Sequence, residues 1–316
     1  NAKNSLLVTL SRLDGAFGLG DIPTVAVPLS GGMAGLAKTA GHEWKEVRCR
    51  AFDMADNFAN AVETSAAVVA EMLVDGPVET GLSASGSTTL ELAVEPISER
   101  GKLPLSEGDV VIITGGARGV TAEIAAALAG ACRPTLVLFG RSDLPADEPE
   151  WLAGLDGESA IKKALMLNGP KGMTPKDLQA EYEKVAGARE LRQNLRRLEE
   201  LGGKVVYRAV DVRDAALNAT IDEIQKEFGP VRGIVHGAGV LADRLIEDKT
   251  VEQFESVYKT KVEGLHNLLK SLPMNDLRVV VLFSSSTGRF GRTGQVDYAV
   301  ANEILNKIAQ EEAAQR

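Results

Sequence analysis

Several residue types and patterns are scarce in this sequence, and each shortage excludes a class of protein. Only two cysteines, Cys49 and Cys132, occur in 316 residues, and neither stands in a CxxC or Cys/His spacing. We therefore expect no disulfide framework and no metal site. No run approaches 18 uncharged apolar residues, which argues against a membrane-spanning helix. Lys and Arg number 35 against 44 Asp and Glu, so the net charge of −9 disfavours nucleic acid or an anionic membrane as the main partner.

The rest of the composition is that of an ordinary globular protein. Hydrophobic residues make up 44% and charged residues 25%, and the length allows two domains or one large one. The beginning, NAKNSLLVTL, lacks the features of a signal peptide, and strand-like sequence follows almost at once. We expect a cytoplasmic chain that is cut out of a longer protein.

Strand and helix patterns divide the sequence into two parts. In the first part, the patterns predict strands over 5–12, 47–54, 78–83 and 88–94, and helices over 32–44 and 57–74. A polar stretch over 96–109, with Pro and Gly, suits a linker, so we place the domain boundary near residue 100. The sequence thus predicts domains over 1–100 and 101–316.

The second part alternates short apolar runs with helical stretches. The runs lie at 110–113, 135–139, 204–210, 232–235 and 278–283. Near-continuous Val/Ile/Leu runs of this kind predict an α/β fold with a doubly wound parallel sheet, the Rossmann arrangement. The long interval over 142–202 predicts a helical insertion, with a helix that begins after Thr174 in a capping-box-like turn closed by Asp177.

A glycine-rich turn follows the first strand of this second part. Glycines let backbone amides approach a pyrophosphate, and the following helix N-terminus favours its negative charge. The predicted cofactor contacts are Thr114, Gly115, Gly116, Arg118, Gly119 and Val120. The alternative is a tight strand-to-helix turn without a ligand.

The next strand ends at Arg141 and Ser142, where an NAD enzyme usually carries an acidic residue. An arginine there suits the 2′-phosphate of NADP instead, although it could also be an ordinary surface residue.

The ends of the next two strands extend this prediction. Asp211 and Val212 follow the third strand, where the carboxylate could accept a hydrogen bond from an adenine amino group or cap a helix. Gly237, Ala238 and Gly239 follow the fourth strand and allow close backbone contact with a cofactor. We interpret His236 as a hydrogen-bonded residue at the sheet end rather than as a catalyst.

Four polar residues near the end of the sequence have a spacing typical of one family. Tyr298 follows Ser285 by 13 residues, Asn302 lies four residues further on the same helical face, and Lys261 precedes Ser285 by 24. These residues resemble the ketoreductase branch of the short-chain dehydrogenase/reductase family. Most members carry the lysine four residues after the tyrosine; here Lys261 and Asn302 have exchanged places, as in the ketoreductase domains of polyketide and polyunsaturated-fatty-acid synthases.

The chemistry of ketone reduction requires these residue types. Tyr298 can donate a proton to the ketone oxygen while Ser285 hydrogen-bonds the same oxygen. Moving a tyrosine hydroxyl from a pKa of ~10 to about 7 requires about 4 kcal/mol of phenolate stabilisation, to which the Lys261 ammonium can contribute. Asn302 is expected to anchor a water or backbone group in the proton relay.

The resemblance extends over the whole chain. Residues 31–54 resemble the structural subdomain, a truncated Rossmann-like unit without cofactor, that precedes the catalytic part in multidomain synthases. Residues 10–18, the insertion and residues 240–250 are most similar to the ketoreductase of polyunsaturated-fatty-acid synthases. Few residues follow Asn302, so we expect the last strands and the lid helix to be missing.

The resemblance also implies a stereochemical outcome. Asp243, three residues after GAGV, and Phe290 at the position of a tryptophan in the opposite class imply a 3R alcohol, and Gln295 joins them as a predicted substrate contact. Two residues depart from the family pattern. Ala242 replaces an aspartate, and Thr121 replaces the third glycine of the turn, which predicts looser helix packing and weaker cofactor binding.

The function implied is NADPH-dependent reduction of a β-ketoacyl thioester on an acyl carrier protein, beside other synthase domains in the same polypeptide. Arg289 and Arg292 are candidates for carrier-protein docking. Two alternatives remain open at this point: a stand-alone reductase of a small ketone or sugar, and a non-catalytic scaffold ketoreductase in a synthase.

Overall fold

The computed structural model describes residues 5–20, 27–96, 101–115, 117–144 and 146–315. Its strands are β1 (Ser5–Ser11), β2 (Val47–Met54), β3 (Glu79–Ser83), β4 (Gly86–Thr89), β5 (Val110–Thr114), β6 (Thr135–Gly140), β7 (Lys204–Ala209), β8 (Val231–His236) and β9 (Val279–Leu282). Its α-helices are α1 (Gly32–Glu43), α2 (Ala61–Met72), α3 (Gly119–Cys132), α4 (Glu158–Asn168), α5 (Pro175–Glu200), α6 (Ala216–Phe228), α7 (Val251–Tyr258), α8 (Gly264–Lys270), α9 (Ser286–Phe290) and α10 (Val296–Gln315).

The chain forms two compact units that do not follow the sequence order. The first comprises the residues up to Leu103 together with Ala238–Asn267 and Val280–Arg316; the second comprises Pro104–Gly237 and Leu268–Val279. The predicted division at residue 100 falls outside the described residues and stays a prediction.

The first unit contains a small sheet with the strand order β1-β2-β3-β4. The pairs β1/β2 and β2/β3 are parallel, and β3/β4 is antiparallel. The predicted strand over 88–94 is wrong, because the strand observed there ends at Thr89. Thr89 pairs with Thr80, which is the second residue of β3. Beyond Thr89 the chain therefore has almost no β3 residues left as partners.

The second unit is built on parallel strands in the order β7-β6-β5-β8. All five residues of β5 are buried, as expected for a strand that helices cover on both faces. Helix α3 is rich in alanine and buries several of these small side chains. The predicted doubly wound α/β fold is confirmed.

The insertion after β6 forms helices α4 and α5 around a small apolar core. Thr174 caps α5, with its hydroxyl accepting from the Asp177 amide and the Asp177 carboxylate accepting from the Thr174 amide, which confirms the predicted helix start. The core packs buried residues of α4 and the segment before it against α5, and it includes Leu152, Ile161 and Leu165. None of the described helices combines the length and apolar character that a bilayer crossing requires.

Candidate active site

Lys261 lies in a break between two helices. Between α7 and α8 the chain forms a π-helical turn, Lys259–Glu263, of the kind that often occurs at functional sites. The side chain is buried; its Nζ donates to the Phe283 carbonyl at 2.9 Å and lies 5.2 Å from the centre of the Tyr298 ring. Burial lowers the pKa of Lys261 to about 8, so the ammonium form predominates at neutral pH.

Two consecutive helices carry the other three residues. Ser285 precedes α9, and Tyr298 and Asn302 lie in the first turns of α10. Ser285 is the N-cap of α9, and its Oγ accepts from the Thr287 amide at 3.1 Å. Tyr298 and Asn302 occupy successive turns of α10, where Asn302 Nδ2 donates to the Tyr298 carbonyl at 2.8 Å. Helices α9 and α10 approach closely, since a Cβ at Gly288 would lie 3.1 Å from the Asn302 backbone.

The arrangement in the first unit therefore brings the four predicted catalytic residues onto neighbouring elements. The positive charge of Lys261 faces the ring of Tyr298. Asn302 is fully buried, and its Oδ1 has no hydrogen-bond partner among the described residues. A buried acceptor of this kind suits an ordered water in a proton relay.

The predicted substrate residues lie in the same unit. Asp243 Oδ2 accepts from Gln295 Nε2 at 2.9 Å, and Gln295 Oε1 in turn accepts from the Thr287 hydroxyl at 3.2 Å. Because the Thr287 amide also donates to Ser285, a chain of hydrogen bonds links Asp243 to Ser285. Phe290 is half exposed, and its carbonyl oxygen lies 2.9 Å from a ring nitrogen of His42.

Arg289 and Arg292, the docking candidates, have different surroundings. Arg289 forms an ion pair with the buried Glu79, whereas Arg292 is exposed. Arg289 is therefore already engaged in an ion pair within the unit, and the exposed Arg292 is the better-placed cation for an outside partner.

The glycine-rich turn occupies the end of β5 in the second unit. Gly115 and Gly119 have φ values of 71° and 57°, a backbone region that favours glycine. A Cβ at Gly119 would meet no atom within 4 Å, and Arg118 and Val120 are exposed, so the turn is open on that side. Gly116 lies outside the described residues. This geometry fits a dinucleotide pyrophosphate at the N-terminus of α3.

His236 is buried at the end of β8, and its Nδ1 lies 3.0 Å from the Thr114 hydroxyl. It has the partner expected of a sheet-end histidine.

Thr121 is accommodated by a glycine across the turn. A Cβ at Gly237 would lie 2.5 Å from the Thr121 Oγ1 and 2.8 Å from its Cγ2, so only glycine at 237 leaves room for this threonine. The sequence predicted looser packing at Thr121. In the structure Gly237, itself a predicted cofactor contact, provides the space.

Two residues of α5 contact the turn, and the sequence did not indicate them. Glu190 Oε1 accepts from the Gly119 amide at 2.9 Å, and Asn194 Nδ2 donates to the Ala117 carbonyl at 3.0 Å. Both lie more than 70 residues beyond the turn in a polar helix, where no local pattern distinguishes them from solvated residues. Glu190 thus places a carboxylate where the first free amide of α3 is expected to meet a phosphate.

The other strand ends carry the remaining predicted contacts. Arg141 and Ser142 follow β6 and are exposed, and the Ser142 carbonyl accepts from the Tyr207 hydroxyl at 2.7 Å. Arg213 holds the Asp211 carboxylate at 2.6 and 2.9 Å, which lowers the pKa of Asp211 and engages both of its oxygens.

Val212 beside Asp211 is buried. Ala238 and Gly239 fall in the first unit, where a Cβ at Gly239 would lie 3.2 Å from Lys261 Cε. No group of three His, Cys, Asp or Glu residues in the described ranges is arranged to hold a metal.

The doubly wound fold, the glycine-rich turn and the Ser/Tyr/Lys/Asn set are features of the short-chain dehydrogenase/reductase class. A family model described as KR domain matches residues 109–316, and the chain belongs to this family of ketoreductase domains from polyketide synthases. Ketoreductase domains are oxidoreductases that use nicotinamide cofactors.

The chain is similar to segments of large synthases. One polyunsaturated fatty acid synthase polypeptide of Thraustochytrium sp. is 38% identical over 96% of this chain, which spans 11% of that protein. Highly-reducing polyketide synthase 1 of Aureobasidium melanogenum is 40% identical over 36% of this chain, and the match spans 5% of its length.

Solved ketoreductases share the fold. The ketoreductase from the first module of phoslactomycin biosynthesis in Streptomyces has a TM-score of 0.74 at 26% identity. The match covers 98% of this chain and 62% of the Streptomyces chain. A structure of A-type ketoreductases from a modular polyketide synthase has a TM-score of 0.71 at 25% identity. The match covers 98% of this chain and 56% of that structure's chain.

Proposed function

We propose that this chain is an NADPH-dependent β-ketoacyl reductase that acts on a thioester held by an acyl carrier protein, beside other domains of a fatty acid or polyketide synthase. The observation that carries the proposal is the buried Lys261 ammonium facing the ring of Tyr298, with Ser285 and Asn302 on the adjoining helices. The similarity to large synthases supports the carrier-bound substrate.

The proposed roles follow from the chemistry of carbonyl reduction. When bound, NADPH supplies the hydride that reduces C3 of the substrate. The Tyr298 hydroxyl donates a proton to the ketone oxygen, and the Ser285 hydroxyl hydrogen-bonds that oxygen as its negative charge grows. Lys261 stabilises the phenolate that remains, and Asn302 Oδ1 holds a water through which the proton is replaced.

The preference for NADPH over NADH is assigned to Arg141. This arginine is exposed directly after β6, and no acidic residue takes its place there. A guanidinium binds a phosphate monoester by paired hydrogen bonds, whereas a ribose hydroxyl would favour a carboxylate. The turn at Gly115 and Gly119 would hold the pyrophosphate.

The product is proposed to be the 3R alcohol. Asp243 and Gln295 are hydrogen-bonded to each other, which gives the predicted substrate side a defined polar edge. Phe290 stands where the opposite stereochemical class tends to carry tryptophan.

Oxidation of NADPH by the full-length protein that carries this chain, in the presence of a small β-keto thioester, tests the proposal. Removal of the Tyr298 hydroxyl in Tyr298→Phe is expected to slow reduction by about 10²- to 10⁴-fold, the range of acid–base catalysis. Tyr182→Phe removes a hydroxyl from the insertion and should leave the rate unchanged. Equal rates for wild type and Tyr298→Phe contradict the catalytic assignment.

The same assay tests the cofactor assignment through Arg141→Asp, which should shift the preference from NADPH toward NADH. An unchanged preference would reject the role of Arg141. Tight NADPH binding without turnover would instead favour a scaffold ketoreductase.

A further inference from the structure

We propose that Glu43, at the end of α1, is a positioning residue that orients the substrate by holding two loops together. The inference rests on the proposed function. Glu43 belongs to the part of the sequence that carries no cofactor motif, and nothing in its surroundings in the sequence points to the reaction. Its contacts, however, lie on both sides of the Asp243–Gln295 hydrogen bond.

The carboxylate of Glu43 accepts two backbone amides from distant parts of the chain. Oε2 accepts from the Ile246 amide at 2.7 Å, and Oε1 accepts from the Gly294 amide at 2.8 Å. These amides lie 203 and 251 residues further along the sequence. One carboxylate therefore ties the loop that follows β8 to the loop between α9 and α10.

Each of these loops contributes one residue to the predicted substrate side. Asp243 lies three residues before Ile246, and Gln295 directly follows Gly294. The loops also bond each other, since the Arg244 amide donates to the Gly294 carbonyl at 2.9 Å. Gly294 has φ +81°, a conformation that favours glycine and that helps to orient its amide and carbonyl. A shift of either loop would move the Asp243–Gln295 pair.

Helix α1 is held in place by contacts other than those that Glu43 makes with the two loops. Helix α1 packs on α10 through Gly35, where a Cβ would lie 2.7 Å from the Ala299 backbone. Lys38, which precedes Glu43 in the same helix, pairs with Glu79 at 2.9 Å. Loss of the Glu43 carboxylate should therefore leave α1 in place and loosen the two loops.

The variant Glu43→Gln separates positioning from bulk stability. Glutamine keeps the shape, but its amide offers one acceptor oxygen, and its NH₂ group would face a backbone N–H donor. One of the two charge-assisted bonds is lost and the other weakened. Glu46→Gln is the matched control, because Glu46 is exposed and lies three residues away.

We would measure hydrogen exchange at the Ile246 and Gly294 amides, together with KM, kcat and the enantiomer ratio of the alcohol. In Glu43→Gln, exchange at both amides should accelerate about tenfold, as expected for the loss of one such bond. KM should rise and the enantiomer ratio should fall, while kcat stays within about threefold because the proposed catalytic residues are untouched. Glu46→Gln should match the wild type in every measurement.

Two results would overturn the inference. One is unchanged exchange at both amides in Glu43→Gln; the other is accelerated exchange with an unchanged KM and enantiomer ratio. If the wild-type full-length protein reduces no β-keto thioester, the proposed function fails, and with it the role of Glu43 toward substrate. The exchange rates would then still show whether Glu43 holds the loops, so the two failures are distinguishable.

Discussion

The two compact units differ in where they bury charge. Within the described part of the chain, every buried lysine, arginine, aspartate or glutamate belongs to the first unit: Lys38, Arg50, Asp53, Glu79, Lys261, Asp297, Glu303 and Lys307. The buried polar residues of the second unit are neutral threonines and His236. The unit with the proposed catalytic residues thus has a charged interior, and the unit with the glycine-rich turn has an apolar one.

Buried charges are costly unless they are paired, but pairing also restricts the geometry. In the first unit, Lys38 bonds Glu79 at 2.9 Å, and Glu303, next to Asn302, bonds Lys307 at 2.9 Å. Lys38 also lies 3.8 Å from Glu303, so its ammonium joins α1 to both β3 and α10. We infer that these pairs hold the three elements in one arrangement around the proposed proton donor. The described residues of the second unit's open turn contain no such buried pair, which suits a surface that has to admit a cofactor.

Removal of one buried partner should produce the largest effect. Glu79→Ala leaves Lys38 and Arg289 without this carboxylate, and loss of one member of a buried pair costs about 3–5 kcal/mol in the free energy of unfolding. Urea unfolding measures this change. Glu123→Ala in the second unit breaks an exposed ion pair with Arg197 and should leave the urea midpoint of unfolding unchanged. A similar loss of unfolding free energy in both variants would contradict the difference between the two units.

The charge of Lys261 should make the reaction depend on pH. Burial lowers its pKa to about 8, so the ammonium is present at neutral pH and is lost as the pH rises through that value. The rate of reduction should fall toward a tenfold loss per pH unit above about 8, while NADPH binding changes little. Lys261→Arg carries a guanidinium that stays charged, so the fall in rate that Lys261 contributes near pH 8 should be absent from the pH profile of this variant. A flat wild-type profile on either side of this pKa would contradict the role of Lys261.

The smallest effect is expected at Glu190. Its carboxylate accepts from the Gly119 amide, where the pyrophosphate is expected, so it competes with the cofactor for the start of α3. A negative charge at a helix N-terminus is stabilised by about 0.3–1 kcal/mol. In Glu190→Gln the cofactor phosphate no longer competes with a carboxylate for this place, so NADPH binding should tighten about two- to fivefold. Fluorescence titration measures the Kd, and Glu199→Gln on the same helix is the control. Unchanged or weaker binding in Glu190→Gln would show that the carboxylate does not compete.

Local signals explain what could be predicted from the sequence. The doubly wound fold followed from apolar strands alternating with helices, and the start of α5 followed from Thr174 and Asp177, whose hydrogen bonds form within one helical turn. The end of β4 could not be predicted, because it depends on where its partner β3 begins. The catalytic set was recognised by spacing, and its roles remain proposals.

The sequence alone was enough to predict the type of chemistry, since a glycine-rich turn, an arginine after the second strand and a Ser/Tyr/Lys/Asn set are local or follow a regular spacing. Only the tertiary structure decided which residues remote in the sequence contact the turn and the loops of the predicted site. Glu43 meets amides more than 200 residues away, Gly237 makes room for Thr121, and Glu190 reaches Gly119 from the insertion. Such contacts depend on the packing of elements that are remote in the chain, and one sequence carries no periodic or spacing signal for them.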